Sequence, residues 1–163
     1  MQSDTYWPAP GQVFSQLAGG WDFLRTVPGQ ASMRGKAVFS VITDLPDALA
    51  YHETGCLVLA DGQTFEAAQR YRYCRRPEGF AIMFGRDPDR LFQTVILARE
   101  GDALAAEASH LCPPDRYRSL YRFDCATGGF SIRHAVTGPR KEYAIITEYT
   151  RARPPLLPIS PTA

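Results

Sequence analysis

From Trp21 onward apolar and polar residues alternate with a period of two, and turn chemistry interrupts the pattern about every 8–14 residues. Trp21, Phe23 and Arg25 share one face before a turn at Val27–Gln30. Runs over Gly35–Val41, Leu49–Gly55 and Phe65–Tyr73 follow, the last two joined across Asp61-Gly62, a hairpin signal. Phe80–Phe84 is short. Leu91–Ala98 and Ala103–Leu111 pair across Arg99–Asp102, and Tyr117–Phe123, Phe130–Val136 and Lys141–Arg151 complete the set. Helical periodicity is confined to Val13–Leu17, where Val13, Phe14 and Leu17 share a face until Gly19-Gly20 stops the turn.

These elements predict an all-β chain: about ten antiparallel strands with hairpin-length connections. A sheet of that size curls on itself because closure removes exposed edges. Short connections and small residues within the strands favour an up-and-down barrel over a sandwich, with the short N-terminal helix as a lid or plug. The expected organisation is an N-terminal extension (1–12), one barrel domain (13–151) and a proline-rich tail (152–163).

Composition narrows the partners. The 163 residues carry a net charge of +1 with no basic block, so nucleic acid and membrane surfaces are not expected partners. No run reaches the ~18 apolar residues of a membrane span, and the N-terminus lacks a secretory pattern, which reads as cytoplasmic. Cys56, Cys74, Cys112 and Cys125 show no metal spacing and read as free thiols. Phosphate loops, metalloprotease motifs and nucleophile elbows are absent from the sequence, and a monomer or homodimer is expected.

The segment Gly19–Arg25, GGWDFLR, resembles the G-x-W motif that opens the first strand of calycins, the lipocalin and fatty-acid-binding-protein group. That resemblance implies a tryptophan, Trp21, plugging the closed barrel end and an arginine, Arg25, packed over it. The segments Tyr51–Gly55, Arg70–Tyr73, His110–Tyr117 and Val136–Arg151 resemble a family of unknown function with a calycin-like barrel. His134 stands where that family's pattern has a tryptophan.

Alternation also sorts the polar side chains. Lys141, Tyr143, Thr147, Tyr149 and Arg151 fall on one face of the last strand, opposite Glu142 and Glu148. Tyr51 and Glu53 share an inner face, with Arg25 the nearest partner for the glutamate, and Tyr71 and Tyr73 repeat the theme. With Tyr117 and Tyr121 this makes up to seven inward tyrosines. So many inward polar groups imply a pocket of roughly 300 Å³ or more rather than a filled core.

His110, Cys112 and Asp115 bracket Pro113-Pro114 at one barrel mouth. They read as a strand end and an Asp-capped turn, with a metal site or a Cys-His pair as minor alternatives and His110 as a ligand contact between them. The candidate ligand-binding residues are therefore Arg25, Tyr51, Glu53, Tyr71, Tyr73, His110, Tyr117, Lys141, Tyr143, Thr147 and Tyr149. No metal or other cofactor is expected. Haem is considered through His52, His110 or His134 and set aside for want of a motif.

The expected function is small-molecule binding in a polar, tyrosine-rich cavity. Arg25, Lys141 and Arg151 suggest an anionic or aromatic ligand. The alternatives are a small barrel enzyme using Tyr, Glu and Arg for lyase or cyclase acid–base chemistry, and an interaction module with a filled barrel.

Overall fold

The computed structural model describes residues 6–153. Among them a 3-10 turn (Pro10–Gln12) and one short α-helix, α1 (Val13–Leu17), precede eleven strands. These are β1 (Gly19–Val27), β2 (Ala31–Ile42), β3 (Leu45–Leu59), β4 (Thr64–Arg76), β5 (Gly79–Phe84), β6 (Leu91–Ile96), β7 (Ala98–Glu100), β8 (Ala103–Cys112), β9 (Asp115–Asp124), β10 (Phe130–Gly138) and β11 (Lys141–Arg151). The order across the sheet is β6-β5-β4-β3-β2-β1-β11-β10-β9-β8-β7, all antiparallel. The first and last long strands therefore pair, and the meander curls into a nearly closed barrel.

The two edges of that sheet, β6 and β7, are successive pieces of one stretch of chain. The single strand expected over Leu91–Ala98 is split at buried Leu97, whose N–H donates to the Glu78 carbonyl at 2.8 Å. β6 stays with β5 while β7 crosses to β8. This break is the barrel seam, and it raises the strand count from ten to eleven.

The period-two pattern appears directly in the burial. On β9, Ser119, Tyr121 and Phe123 are buried, while Arg116, Arg118, Leu120 and Arg122 between them are exposed. Curvature needs room inside, and β2 and β3 provide it by placing Gly35 opposite Gly55. A Cβ at Gly35 would lie 2.6 Å from the Phe23 ring, and one at Gly55 would lie 2.9 Å from the Met33 methyl. Both inner side chains occupy the space the glycines leave.

One end is plugged by aromatic rings. Trp21 is fully buried, stacked on Trp7 at 5.9 Å and edge-on to Phe130 at 4.8 Å. Trp7 lies in the stretch read from sequence as an extension, yet it is part of the core. The Trp21 indole N–H donates to the Leu17 carbonyl at 2.9 Å, which ties α1 to the plug. Arg151, not Arg25, packs over the Trp21 ring, at 3.9 Å. The register explains the exchange, because Trp21 faces Arg151 across β1 and β11. Arg151 also donates to the Gln16 and Ala18 carbonyls, so one cation both covers the tryptophan and satisfies the end of α1. Of the proline-rich tail read from sequence, residues 154–163 lie outside the described residues.

Candidate functional site

Away from the plug, the barrel holds a cavity of about 410 Å³. The interior is therefore not filled, which removes the filled-barrel alternative. Six tyrosines line it: Tyr51, Tyr71, Tyr73, Tyr117, Tyr121 and Tyr149. Phe84 and Phe92 join Tyr71 in an aromatic cluster with ring centroids 5.4–6.5 Å apart. The strands present these rings because each contributes alternate residues to the inside.

The first polar group in the wall is a closed network. Arg25 on β1 donates through both terminal nitrogens to Glu53 on β3, at 3.0 and 2.7 Å, and through Nε to Thr147 on β11 at 2.8 Å. The Tyr51 hydroxyl donates to Glu53 Oε2 at 3.0 Å and lies 2.9 Å from the Tyr149 hydroxyl. Since Tyr51 donates to the carboxylate, Tyr149 donates to Tyr51. The Glu53 side chain is 3% exposed and that of Arg25 is 23% exposed, so the pair is unequally shielded.

Burial opposes the Arg25 charge, but the hydrogen bonds and charge of Glu53 outweigh it and leave the guanidinium pKa raised. Burial, reinforced by Tyr149 and Glu53, holds the Tyr51 hydroxyl well above its ordinary range. Tyr149 is pushed up to about 12 by burial and then by the Glu53 charge. Tyr73 and Tyr121 are raised chiefly by burial, as are Tyr71 and Tyr117. All six ring hydroxyls are thus held in the neutral form near pH 7.

The second polar group runs along the seam. The Tyr121 hydroxyl donates to Gln93 Oε1, and Gln93 Nε2 donates to Ser119 Oγ at 2.7 Å. Ser119 Oγ in turn meets His134 Nδ1 at 2.5 Å. Gln93 on β6 thereby bridges to β9, fastening the seam by side chains where no backbone ladder runs. Burial, with a contribution from Arg25, lowers the His134 pKa to about 4, so its ring is neutral.

His110 lines the same cavity, and its Nε2 is buried with no hydrogen-bond partner among the described residues. Phe92 stands between the two imidazoles, 5.1 Å from the His110 ring and 6.0 Å from the His134 ring.

The structure brings nine of the eleven candidate residues to the cavity wall: Arg25, Tyr51, Glu53, Tyr71, Tyr73, His110, Tyr117, Thr147 and Tyr149. Two stand elsewhere. Lys141 is exposed at the start of β11 and donates to Asp115 Oδ2 at 3.3 Å, outside the cavity. Tyr143 follows it by two residues and does not reach the wall, because both belong to the rim of the strand rather than its middle.

Asp115, expected to cap its own turn, pairs with Lys141 instead. Cys112 does join His110 at the wall. Among the described residues no three His, Cys, Asp or Glu side chains converge as metal ligands. The four thiols are free. His52 is exposed on the outer face, while His134 points inward.

Gln93 and Ser119 went unassigned from sequence, and His134 was considered there only as a haem ligand. A signal was present, because Gln93 shares its face with Val95, and Ser119 shares its face with Tyr117 and Tyr121. A lone polar residue on an otherwise apolar inner face marks a buried hydrogen-bond network.

The family model described as a family of unknown function, DUF6314, matches residues 17–151, and the chain belongs to that family. No curated protein matches the sequence. Among solved structures the chain is similar to Rv2717c from M. tuberculosis, at 16% identity and a TM-score of 0.57, over 89% of this chain and 99% of that one. It is also similar to a de novo designed fluorescence-activating β-barrel, at 13% identity and a TM-score of 0.44, over 86% and 98%. It is similar as well to EF1p2_mFAP2b bound to DFHBI, at 12% identity and a TM-score of 0.47, over 88% and 100%. At such identities what is shared is a β-barrel fold. Among the described residues no helix is long and apolar enough to cross a membrane.

Proposed function

We propose that the barrel binds a small, flat, uncharged aromatic molecule in its cavity. The observation that carries this reading is the pairing of Arg25 with Glu53 inside an aromatic-lined space of about 410 Å³. The three cations that suggested an anionic ligand are all engaged: Arg25 with Glu53, Lys141 with Asp115, and Arg151 at the plug. A carboxylate entering this cavity would lose its water without gaining an unpaired cation. A neutral ring system gains stacking surface from Phe92, Phe84 and the tyrosines, whose hydroxyls stay protonated.

The volume suits a ligand of two to four fused or linked rings. The buried, unpartnered His110 Nε2 supports an occupant, since an unsatisfied polar atom costs about 1–3 kcal/mol until something bonds to it. Acid–base chemistry on Glu53 is the less favoured reading, because both carboxylate oxygens already accept hydrogen bonds.

The test is titration with 1-aminoanthracene, an uncharged planar fluorophore that brightens in apolar surroundings. Saturable enhancement at one site per chain is expected, and it should be abolished by Ala67→Phe, which puts a ring into the cavity from β4. Absence of enhancement, or enhancement that Ala67→Phe leaves intact, would refute the reading.

A further inference from the structure

The hydrogen-bond relay behind His134 has a direction. Tyr121 is buried, and the one acceptor its hydroxyl proton finds among the described residues is Gln93 Oε1. That orients the amide, with oxygen toward Tyr121 and nitrogen toward Ser119. Ser119 Oγ already accepts from Gln93, so its single proton is left for His134 Nδ1. The reverse polarity would either leave Ser119 accepting twice, with its own buried proton unplaced, or turn the amide over and make Tyr121 an acceptor. Its own proton would then be stranded in the barrel, at the cost of an unmade buried hydrogen bond. Each link is set by the one before it, starting from a phenol with nowhere else to donate.

A neutral imidazole that accepts at Nδ1 carries its proton at Nε2. His134 Nε2 makes no hydrogen bond among the described residues, and the ring lines the cavity. The Arg25–Glu53 network sits against the same cavity and has its charges matched internally. What remains for a ligand at the His134 wall is a neutral donor of fixed sense.

We propose that Tyr121, Gln93 and Ser119 are positioning residues that lock His134 as an Nε2–H donor. Among uncharged aromatic ligands, this donor selects those bearing a lone-pair acceptor, a carbonyl or a ring nitrogen, on one edge. The proposal rests on the binding function above and adds the acceptor to it. Fluorene, 9-fluorenone and fluorene-9-carboxylate are suitable probes, because they share one ring skeleton and differ at a single carbon.

The test has two arms on the full chain. Two-bond nitrogen–proton correlation spectra of labelled protein report the His134 tautomer without any ligand. The Nε2–H form is expected to dominate over about pH 6 to 8, with Ser119→Ala producing a mixture. A dominant Nδ1–H form in the native chain would overturn the proposal and leave the binding function standing. In the second arm 9-fluorenone should bind about ten-fold tighter than fluorene, with the carboxylate weakest. Ser119→Ala should lower the ketone's affinity in proportion to the Nε2–H population lost, about two-fold for an equal mixture, without weakening fluorene itself. Equal native affinities for fluorenone and fluorene would overturn the selection. Binding by none of the three, with the tautomer as stated, would refute the binding function and the selection with it.

Discussion

Arg25 and Glu53 should prove strongly coupled, and unequally so. Replacing Arg25 by Met leaves a carboxylate that is 3% exposed with a single phenol donor, after the loss of two charge-assisted bonds. Breaking a buried pair from one side costs about 3–5 kcal/mol, and the low end applies here because the cavity can admit water to Glu53. At ~2–4 °C per kcal/mol for a domain of this size, about 3 kcal/mol corresponds to a Tm lowered by about 6–12 °C. Replacing Glu53 by Met strands Arg25 instead. That guanidinium is 23% exposed and keeps Thr147 as a partner, so the cost should be smaller, about 1–2 kcal/mol. The double variant removes both charges together and should lie within about 1–2 kcal/mol of the native chain, the residue coming from Tyr51 and Thr147 losing partners. Urea unfolding of the four proteins gives the cycle, with an expected coupling of about 3 kcal/mol. Additive single effects, or a larger loss from Glu53→Met than from Arg25→Met, would refute the buried-pair account.

Two further outcomes follow from the same structure. His134 has its folded-state pKa depressed to about 4 from 6.5, so between those values the unfolded chain binds the proton that the folded chain refuses. Its contribution is therefore fully present above about pH 6.5 and lost as pH falls toward 4, on the order of 3 kcal/mol in total, and His134→Gln should flatten that part of the urea-measured stability profile. An unaltered profile would count against a buried neutral imidazole. At the plug, Trp21→Ala should cost about 3–5 kcal/mol by thermal or urea unfolding, since the ring is fully buried among Trp7, Phe130 and Arg151; an unchanged Tm would reject the plug.

Much of this fold was legible because a β-barrel writes its inside and outside into alternate residues. Tyr51, Glu53, Tyr71, Tyr73, Tyr117, Thr147 and Tyr149 all face the cavity that alternation assigns them. What alternation does not carry is position along the barrel axis. Lys141 and Tyr149 share a face of β11, yet one stands at the rim beside Asp115 and the other in the cavity wall. Nor does it carry register between strands distant in sequence. Arg25 and Arg151 both lie on the Trp21 side of the sheet, and only the β1–β11 pairing decides which of them covers the tryptophan.

The same limit bears on the charge to be proposed for a ligand. Counted along the sequence, Arg25, Lys141 and Arg151 are three inward cations awaiting an anion. Placed in space, each already has its counterpart, and two of the three are at opposite ends of the barrel from one another. Polar side chains facing inward imply a cavity or a network, and here they make both. The networks neutralise themselves, and the polar atoms at the cavity with no hydrogen bond among the described residues include the Nε2 atoms of His110 and His134, beside Phe92, and the hydroxyls of Tyr71, Tyr73 and Tyr117. On the function proposed above, a site built this way would discriminate by shape and by the direction of a hydrogen bond rather than by charge. For that reason salt should leave ligand affinity nearly unchanged, whereas turning over one proton on His134 should alter which ligand is bound.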